Sequence, residues 1–130
     1  MTDVVSLLEE HEIRETGLTQ EAALVEQVGI SFERFAIPDR GVPPSIQAAH
    51  TLWARLEEKI LGGNSVGIHC RASIGRAGLI ATGVLVRMGV PPVEAWQRTS
   101  TARGKPVPDT DEQRAWLATA YGHLGVRRLL

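Results

Sequence analysis

Short apolar runs in this chain alternate with longer stretches whose apolar residues recur at helical spacing. The short runs predict strands over residues 4–8, 31–37 and 65–70. Glycine and proline breakers separate the longer stretches, which predict helices over residues 19–28, 43–61, 76–86, 93–101 and 109–123. Strands that alternate with helices are typical of an α/β fold, so we expect a mostly parallel central sheet flanked by helices.

The predicted helices differ in how they are buried. Residues 76–86 are apolar on nearly every face, which is the pattern of a helix buried all round. Thr19 is expected to cap the helix over residues 19–28. The helix over residues 43–61 has a single apolar stripe, made of Ile46, Ala49, Leu52, Trp53, Leu56 and Ile60. Core or helix-packing positions are predicted for Trp53, Trp96 and Trp116.

Length and composition are those of a folded protein. The chain has 130 residues, 43% hydrophobic and 22% charged, so we expect one domain over residues 1–130. Lys and Arg number 14 and Asp and Glu 15, which leaves no overall basic field for nucleic acid. No signal peptide and no apolar run of membrane-spanning length is present. A single cysteine cannot form an internal disulfide, which favours a reducing cytoplasm.

Residues 69–78, HCRASIGRAG, join the third predicted strand to the predicted buried helix. The strand ends on Cys70, and Arg76 follows six residues later. Backbone N–H groups at a helix start carry the positive end of the macrodipole, and Arg76 can add a bidentate fork to two phosphoryl oxygens. Small residues that let the backbone close around an anion lie between them: Ala72, Ser73 and Gly75. The loop therefore predicts a phosphate site.

Cys70 is the candidate nucleophile of this loop. A thiol at a helix N-terminus near cationic side chains has its pKa lowered from about 8.5 to roughly 3.5–7.5. A thiolate beneath a cradled phosphorus atom is placed for in-line attack and would form a cysteinyl-phosphate. His69 is expected to help set the electrostatics and orientation of Cys70. The alternative is that Cys70 is a small core residue and Arg76 a surface residue.

A phosphate monoester also needs a group that protonates the departing oxygen. Asp39 lies in the proline- and glycine-rich stretch 36–44, where the second predicted strand ends. The carboxyl ends of parallel strands share one edge of a sheet, so Asp39 and Cys70 are expected to face one cleft. Asp39 would be the general acid for transfer to sulfur and then the general base for water. The alternative is that Asp39 is a plain turn residue.

His69-Cys70-x5-Arg76, with Ile37-Pro38-Asp39 upstream, resembles the cysteine-dependent protein phosphatases, and within them the dual-specificity-like branch. The resemblance covers most of the chain. It implies that Cys70 is the nucleophile, Arg76 the clamp on the phosphate and the transition state, and Asp39 the general acid.

The resemblance also implies the rest of the site and its substrates. The implied phosphate loop consists of Arg71, Ala72, Ser73, Ile74 and Gly75. Gln113 matches a glutamine that helps to position the hydrolytic water. Implied substrates are phosphotyrosine and also phosphoserine or phosphothreonine in proteins, or small phosphomonoesters. No metal and no other cofactor is implied.

Three features depart from that family's pattern. Ser73 stands where the family usually has glycine, and Ala77 where a hydroxyl usually donates to the sulfur. Strands that normally precede residues 4–8 are missing, so either this is a minimal version of the fold or something replaces the missing edge; if nothing covers the first strand, it is a candidate dimer edge. Two other functions stay open: a phosphate-binding pseudophosphatase, favoured by Ser73 and Ala77, and a rhodanese-like sulfurtransferase, in which Asp39 has no acid role.

Several polar residues are predicted to lie at the surface. Arg71 is expected to face solvent, and Gln113 falls on a helix predicted to be exposed. A solvated face at the edge of the cleft is predicted for the acidic run Glu9, Glu10, Glu12 and Glu15. Metal-ligand spacing is absent among His11, His50 and His123.

Overall fold

The protein was analysed as a computed structural model that describes residues 1–71, 75–104, 107 and 110–129, with side chains described as far as residue 122. The strands are β1 (Asp3–Ser6), β2 (Ser31–Arg34) and β3 (Val66–His69). The helices are α1 (Glu10–Glu15), α2 (Glu21–Gln27), α3 (Ile46–Leu61), α4 (Gly75–Arg87), α5 (Pro92–Arg103) and α6 (Asp111–Leu129). None of these described helices combines the length and the apolar character that crossing a bilayer requires.

The three strands form one parallel sheet in the order β2-β1-β3, which confirms the predicted α/β architecture. Asp3 of β1 is paired with Ser31 on one side and with Val66 on the other. β1 is thus the central strand, covered on both sides, so it is not the exposed dimer edge that the sequence left possible. A short apolar run identifies a strand, but its position in the sheet is set by packing between distant segments.

Hydrogen bonding continues past the carboxyl ends of the strands. Leu7 N donates to His69 O at 2.9 Å, and Ile37 N donates to Leu7 O at 3.1 Å. The strands are therefore shorter than predicted, but the segments that follow them stay in register. This register brings the segments after β1, β2 and β3 to one edge of the sheet.

Trp53 lies at the centre of the helical layer and is fully buried. Its indole Nε1 donates to Ile80 O at 3.1 Å, and its ring stacks on Tyr121 with centroids 5.1 Å apart. Trp96 is buried as well, and Trp116 is half-buried against the same core. The predicted packing roles of the three tryptophans are confirmed.

The helices differ from their predictions mainly at the ends and at the surface. α1 falls within the acidic run and was not predicted, because only Ile13 in it is a buried apolar residue. α2 begins after Gln20, with no side-chain cap, so Thr19 is not its N-cap. The stripe on α3 is buried at its centre, whereas Ile46 and Ile60 at its two ends are 38% and 37% exposed.

α4 is buried along nearly its whole length, as predicted, and Gly83 is the point where it meets Trp53. A Cβ at Gly83 would overlap the indole ring. Gly122, in α6, has open space at the corresponding position. Substitution of Gly83 therefore tests the packing on Trp53, and the same substitution of Gly122 is its control.

Gly83→Ala is expected to destabilise the protein by about 1–3 kcal/mol, because overpacking against the buried indole outweighs the helix propensity of alanine. Gly122→Ala is expected to stabilise it by about 0.5–1 kcal/mol, because only the propensity changes. Urea unfolding followed by circular dichroism measures both. Equal effects of the two substitutions would contradict the close packing of α4 on Trp53.

Candidate active site

Cys70 directly follows β3, and α4 begins five residues later at Gly75. Cys70 is half-buried and packs against the core. The strand, Cys70 and the buried helix thus occur in the predicted order. The predicted loop residues Ala72, Ser73 and Ile74 lie outside the described residues, so their roles remain predictions.

Arg76, in the first turn of α4, is completely buried. One edge of its guanidinium forms a bidentate ion pair with Glu12 of α1, from Nη1 to Oε1 at 2.7 Å and from Nη2 to Oε2 at 2.9 Å. Nη1 also donates to Ile37 O, at 2.9 Å. Arg76 is therefore held rigidly between the segments that follow β1 and β2, and the surface alternative for this residue was wrong.

The other edge of the guanidinium is formed by Nε and Nη2. Nε is buried and has no hydrogen-bond partner among the described residues. Nη2 lies 3.3 Å from Oδ1 of Asp39, a side chain that is 55% exposed. A buried donor without a partner is costly, which indicates a place for an acceptor such as a phosphoryl oxygen.

Arg76 and Glu12 each stabilise the charged form of the other. Burial disfavours the charged form of Arg76, but hydrogen bonds and charge from Glu12, together with nearby Cys70 and Asp39, raise its pKa overall. The hydrogen bonds from Arg76 lower the pKa of Glu12 against the opposing effect of burial. The site therefore carries a permanent, oriented cation next to Cys70.

Glu12 is the residue of this site that the sequence reasoning missed. It was assigned to a solvated face, but it is buried. In the structure Glu9 and Glu12 form a capping box at the start of α1, in which Glu9 N donates to Glu12 Oε1 at 3.1 Å. A glutamate at the cap position is not part of the Ser/Thr/Asp/Asn signature that identifies such a box in a sequence, so the sequence carried no local signal for the burial of Glu12.

Asp39 lies in the loop after β2, as predicted, and its contact with Arg76 brings it to the site. Gly41 N closes a turn onto Pro38 O at 2.8 Å, and Arg40 within the turn has a left-handed φ of 59°. Gln113 of α6 donates from Nε2 to Gly41 O at 2.9 Å. We call residues 38–41 the acid loop.

Gln113 is completely buried, so the expectation that it lies on an exposed helix face was wrong. Its described contact is with the acid loop. The structure therefore places Gln113 beside the loop that carries Asp39, and its part in positioning water stays a prediction.

Two acidic residues contact the residues that flank Cys70. His69 Nε2 lies 2.7 Å from Glu21 Oε2, although the two are not aligned as a hydrogen bond. Arg71 is exposed, as expected, and pairs with Glu15 at 2.5 Å. These contacts connect α1 and α2 to the Cys70 segment, and the second partly neutralises the charge of Arg71.

Glu9, His11 and Glu12 are the one group within the described ranges whose ligand atoms lie close enough to share a cation. Both carboxylate oxygens of Glu12 are already bonded to Arg76. A cation there would compete with the buried guanidinium, so this group does not form a suitable metal site.

Several solved structures have the same fold. The kinase associated phosphatase KAP, carrying a serine in place of its catalytic cysteine, is 21% identical, with a TM-score of 0.86 over 96% of this chain and 71% of that one. Tk-PTP in its active form is 28% identical, with a TM-score of 0.78 over 91% of this chain and 76% of that one. PTPMT1 in complex with PI(5)P is 18% identical, with a TM-score of 0.81 over 98% of this chain and 81% of that one.

Comparison with curated protein sequences found no match. A family model covers residues 1–90, which include β1, α1, the acid loop, Cys70 and the whole of α4. The matched part thus contains Glu12, Asp39 and Arg76. The chain belongs to the Tc-R-P family, described as the DSP-PTPase phosphatases of polymorphic toxin systems.

Proposed function

We propose that the chain hydrolyses phosphate monoesters through a cysteinyl-phosphate intermediate. The observation that carries the proposal is the buried Nε of Arg76, next to Cys70, which has no hydrogen-bond partner among the described residues, while Nη2 on the same edge meets the exposed carboxylate of Asp39. Glu12 and Ile37 fix the guanidinium before any substrate arrives. Such preorganisation is what transition-state stabilisation requires, because no reorganisation is needed at the moment of reaction.

In the first step the Cys70 thiolate attacks phosphorus. An S–P bond forms, the bond to the leaving oxygen breaks, and Asp39 gives its proton to that oxygen. In the second step Asp39 takes a proton from water, the oxygen of that water bonds to phosphorus, and the thiolate leaves. The products are the alcohol or phenol and inorganic phosphate.

Arg76 is the clamp in both steps. Two phosphoryl oxygens would accept from Nε and Nη2, a bidentate arrangement that lysine cannot provide. Backbone N–H groups of residues 71–75 would hold the remaining oxygens at the N-terminus of α4. Since Nη2 lies 3.3 Å from Asp39 in the free protein, a bound phosphoryl group would release Asp39 to act as the acid.

The proposed substrates are phosphotyrosine and also phosphoserine or phosphothreonine in proteins, with small phosphomonoesters as simple analogues. The names of the neighbouring structures support a phosphorylated substrate, since one is a kinase associated phosphatase and another holds PI(5)P. The proposed reaction uses neither a metal nor another cofactor, because Cys70, Arg76 and Asp39 supply every group that it needs.

Assays with two leaving groups test this proposal. The wild-type protein is expected to hydrolyse both p-nitrophenyl phosphate and phosphotyrosine. Asp39→Asn is expected to lower kcat on phosphotyrosine by about 10²-fold or more, because tyrosine phenolate, with a pKa near 10, needs a proton to leave. The loss on p-nitrophenyl phosphate should be much smaller, since that phenolate leaves readily.

Asp111→Asn, a change at an exposed carboxylate in α6, is the matched control and should leave both rates unchanged. Equal losses on the two substrates would remove Asp39 from the acid role. Wild-type protein that releases no phenol from either ester, but transfers sulfur from thiosulfate to cyanide, would establish a rhodanese-like activity instead.

Ala77 favours a second candidate, a phosphate-binding protein with very slow turnover. This residue is buried directly after Arg76 and has no hydroxyl to donate to the departing sulfur. Slow release of the thiolate would give one burst of p-nitrophenol, equal to the enzyme concentration, followed by almost no further product. Stopped-flow absorbance separates this outcome from steady turnover.

A further inference from the structure

β3 has a second edge that no described strand covers. The carbonyl oxygens of Ser65 and His69 both accept 2.9 Å hydrogen bonds from the β1 side. Because successive peptide groups of a strand point to opposite sides, the N–H and C=O groups of Val66 and Ile68 point away from β1. We call this row of groups the β3 edge.

The two outer strands of the sheet are protected to different degrees. β2 carries Glu33 and Arg34, and Glu33 forms an ion pair with Arg55. Charged side chains on an outer strand discourage pairing with another chain. β3 reads Val-Gly-Ile-His and has neither a carboxylate, a lysine nor a proline. The β3 edge therefore has the backbone and side-chain character of a strand that pairs on both sides.

An apolar groove of about 480 Å³ adjoins the β3 edge. Its floor and walls include side chains from β3, α3 and α4, namely Val66, Ile68, Ile60, Ala81, Leu85 and Met88. Ile60 is 37% exposed and Met88 is 41% exposed. An added strand presents every second side chain to the same face, so its apolar side chains would enter this groove while its backbone bonds to the β3 edge.

The charged residues that line the groove are both arginines of α5. Arg98 is paired with Glu94 at 2.7 Å, whereas Arg103 has no ion-pair partner among the described residues. The groove lining includes no carboxylate. Its charge is thus complementary to an acidic ligand, with Arg103 as the cation that is available.

We propose that the β3 edge and the adjoining groove bind an extended segment of a partner polypeptide, with alternate apolar residues in the groove and a carboxylate at Arg103. The open peptide groups favour a polypeptide strand, since they offer hydrogen bonds that a purely apolar ligand leaves unused. A second copy of this chain is a poorer occupant, because its own β3 carries no carboxylate to pair with Arg103.

A synthetic probe tests this proposal: a short fluorescein-labelled peptide of alternating threonine and valine that ends in two glutamates. It is expected to bind saturably by fluorescence anisotropy and to slow hydrogen exchange at the amides of Val66 and Ile68. Two methylated peptides are compared, one with N-methylated threonines and one with N-methylated valines. One of them should lose binding, because the amides that donate to β3 belong to the threonines in a parallel added strand and to the valines in an antiparallel one. Binding that survives in both methylated peptides would overturn strand addition.

Charge reversal tests the assigned cation. Arg103→Glu is expected to weaken binding of the glutamate peptide roughly tenfold and to strengthen binding of the same peptide ending in two lysines. Arg34→Glu, on β2, is the control and should change neither affinity. A wild-type protein that binds neither peptide would overturn the proposal. A dimer of the protein alone would also overturn the proposal if sedimentation detects it without peptide and Met88→Glu dissociates it. The groove would then be the binding site of a second copy of this chain.

Discussion

Replacing Cys70 with serine is expected to reduce phosphate-ester hydrolysis to the rate of the buffer while phosphate binding persists. The serine hydroxyl is close to the thiol in size but stays protonated at neutral pH, so the nucleophile is lost. The buried guanidinium of Arg76 is fixed by Glu12 and Ile37 and does not depend on the sulfur. Calorimetric titration with phosphate and with a phosphotyrosine peptide measures the retained binding.

A variant in which the single cysteine is placed at another position provides the matched control. Ser65 lies just before β3 and is exposed, whereas Cys70 lies just after it. In a Ser65→Cys variant that also carries Cys70→Ser, the thiol should react with iodoacetate only as fast as a free cysteine with its usual pKa near 8.5. The wild-type thiol should react faster below pH 7, because the helix N-terminus and Arg76 favour its thiolate. Equal rates would contradict a thiolate nucleophile at Cys70.

The centre of the candidate site could be predicted from the sequence because its parts are local. Cys70, the small-residue loop and Arg76 follow one another between a strand and a buried helix, and each carries a recognisable pattern. The position of Asp39 needed one further rule, that parallel strands end at one edge of the sheet. Its contact with Arg76 agrees with that rule.

The partners that hold the centre could not be predicted, because they lie far away in the sequence. Glu12 is 64 residues from Arg76, and Gln113 is 72 residues from Gly41. Both were expected at the surface, because charged and amide side chains are rarely buried without a partner. Only tertiary packing brings those partners within hydrogen-bond distance.

The order of the strands in the sheet could not be predicted from the sequence pattern either. The apolar runs of β1 and β3 are similar in length and composition, so neither pattern indicates which strand is central. In the structure β1 lies between β2 and β3. The open edge consequently lies on β3, the strand that leads to Cys70, rather than on the first strand.

Glu12→Gln is expected to lower the free energy of unfolding by about 3 kcal/mol at pH 7, because it removes the buried, bidentate counter-charge of Arg76 and leaves only the exposed carboxylate of Asp39 near the guanidinium. Glu10→Gln, at an exposed ion pair on the same helix, should cost less than about 0.5 kcal/mol. Urea unfolding at neutral pH measures both changes. A similar cost for the two substitutions would contradict the buried ion pair.

The difference between wild type and Glu12→Gln should shrink in acid. Arg76 lowers the pKa of Glu12 in the folded protein, so the stabilisation is fully present above the unfolded value of about 4.5. It is lost as the pH falls through the lower folded pKa, where the wild-type carboxyl also becomes neutral. Unfolding curves measured from pH 7 down to about pH 3 should therefore converge, and a constant difference would assign the cost to packing alone.

Exchange of the whole pair for apolar residues separates stability from function. A variant with Glu12→Leu and Arg76→Met is expected to be within about 1 kcal/mol of wild type, since apolar side chains of similar volume avoid the desolvation of two charges. The same variant should lose phosphate binding completely, because no open Nε and Nη2 edge remains. The exchange would then leave the stability of the fold nearly unchanged and abolish phosphate recognition. The buried ion pair at this position would therefore be explained by phosphate binding and not by stability.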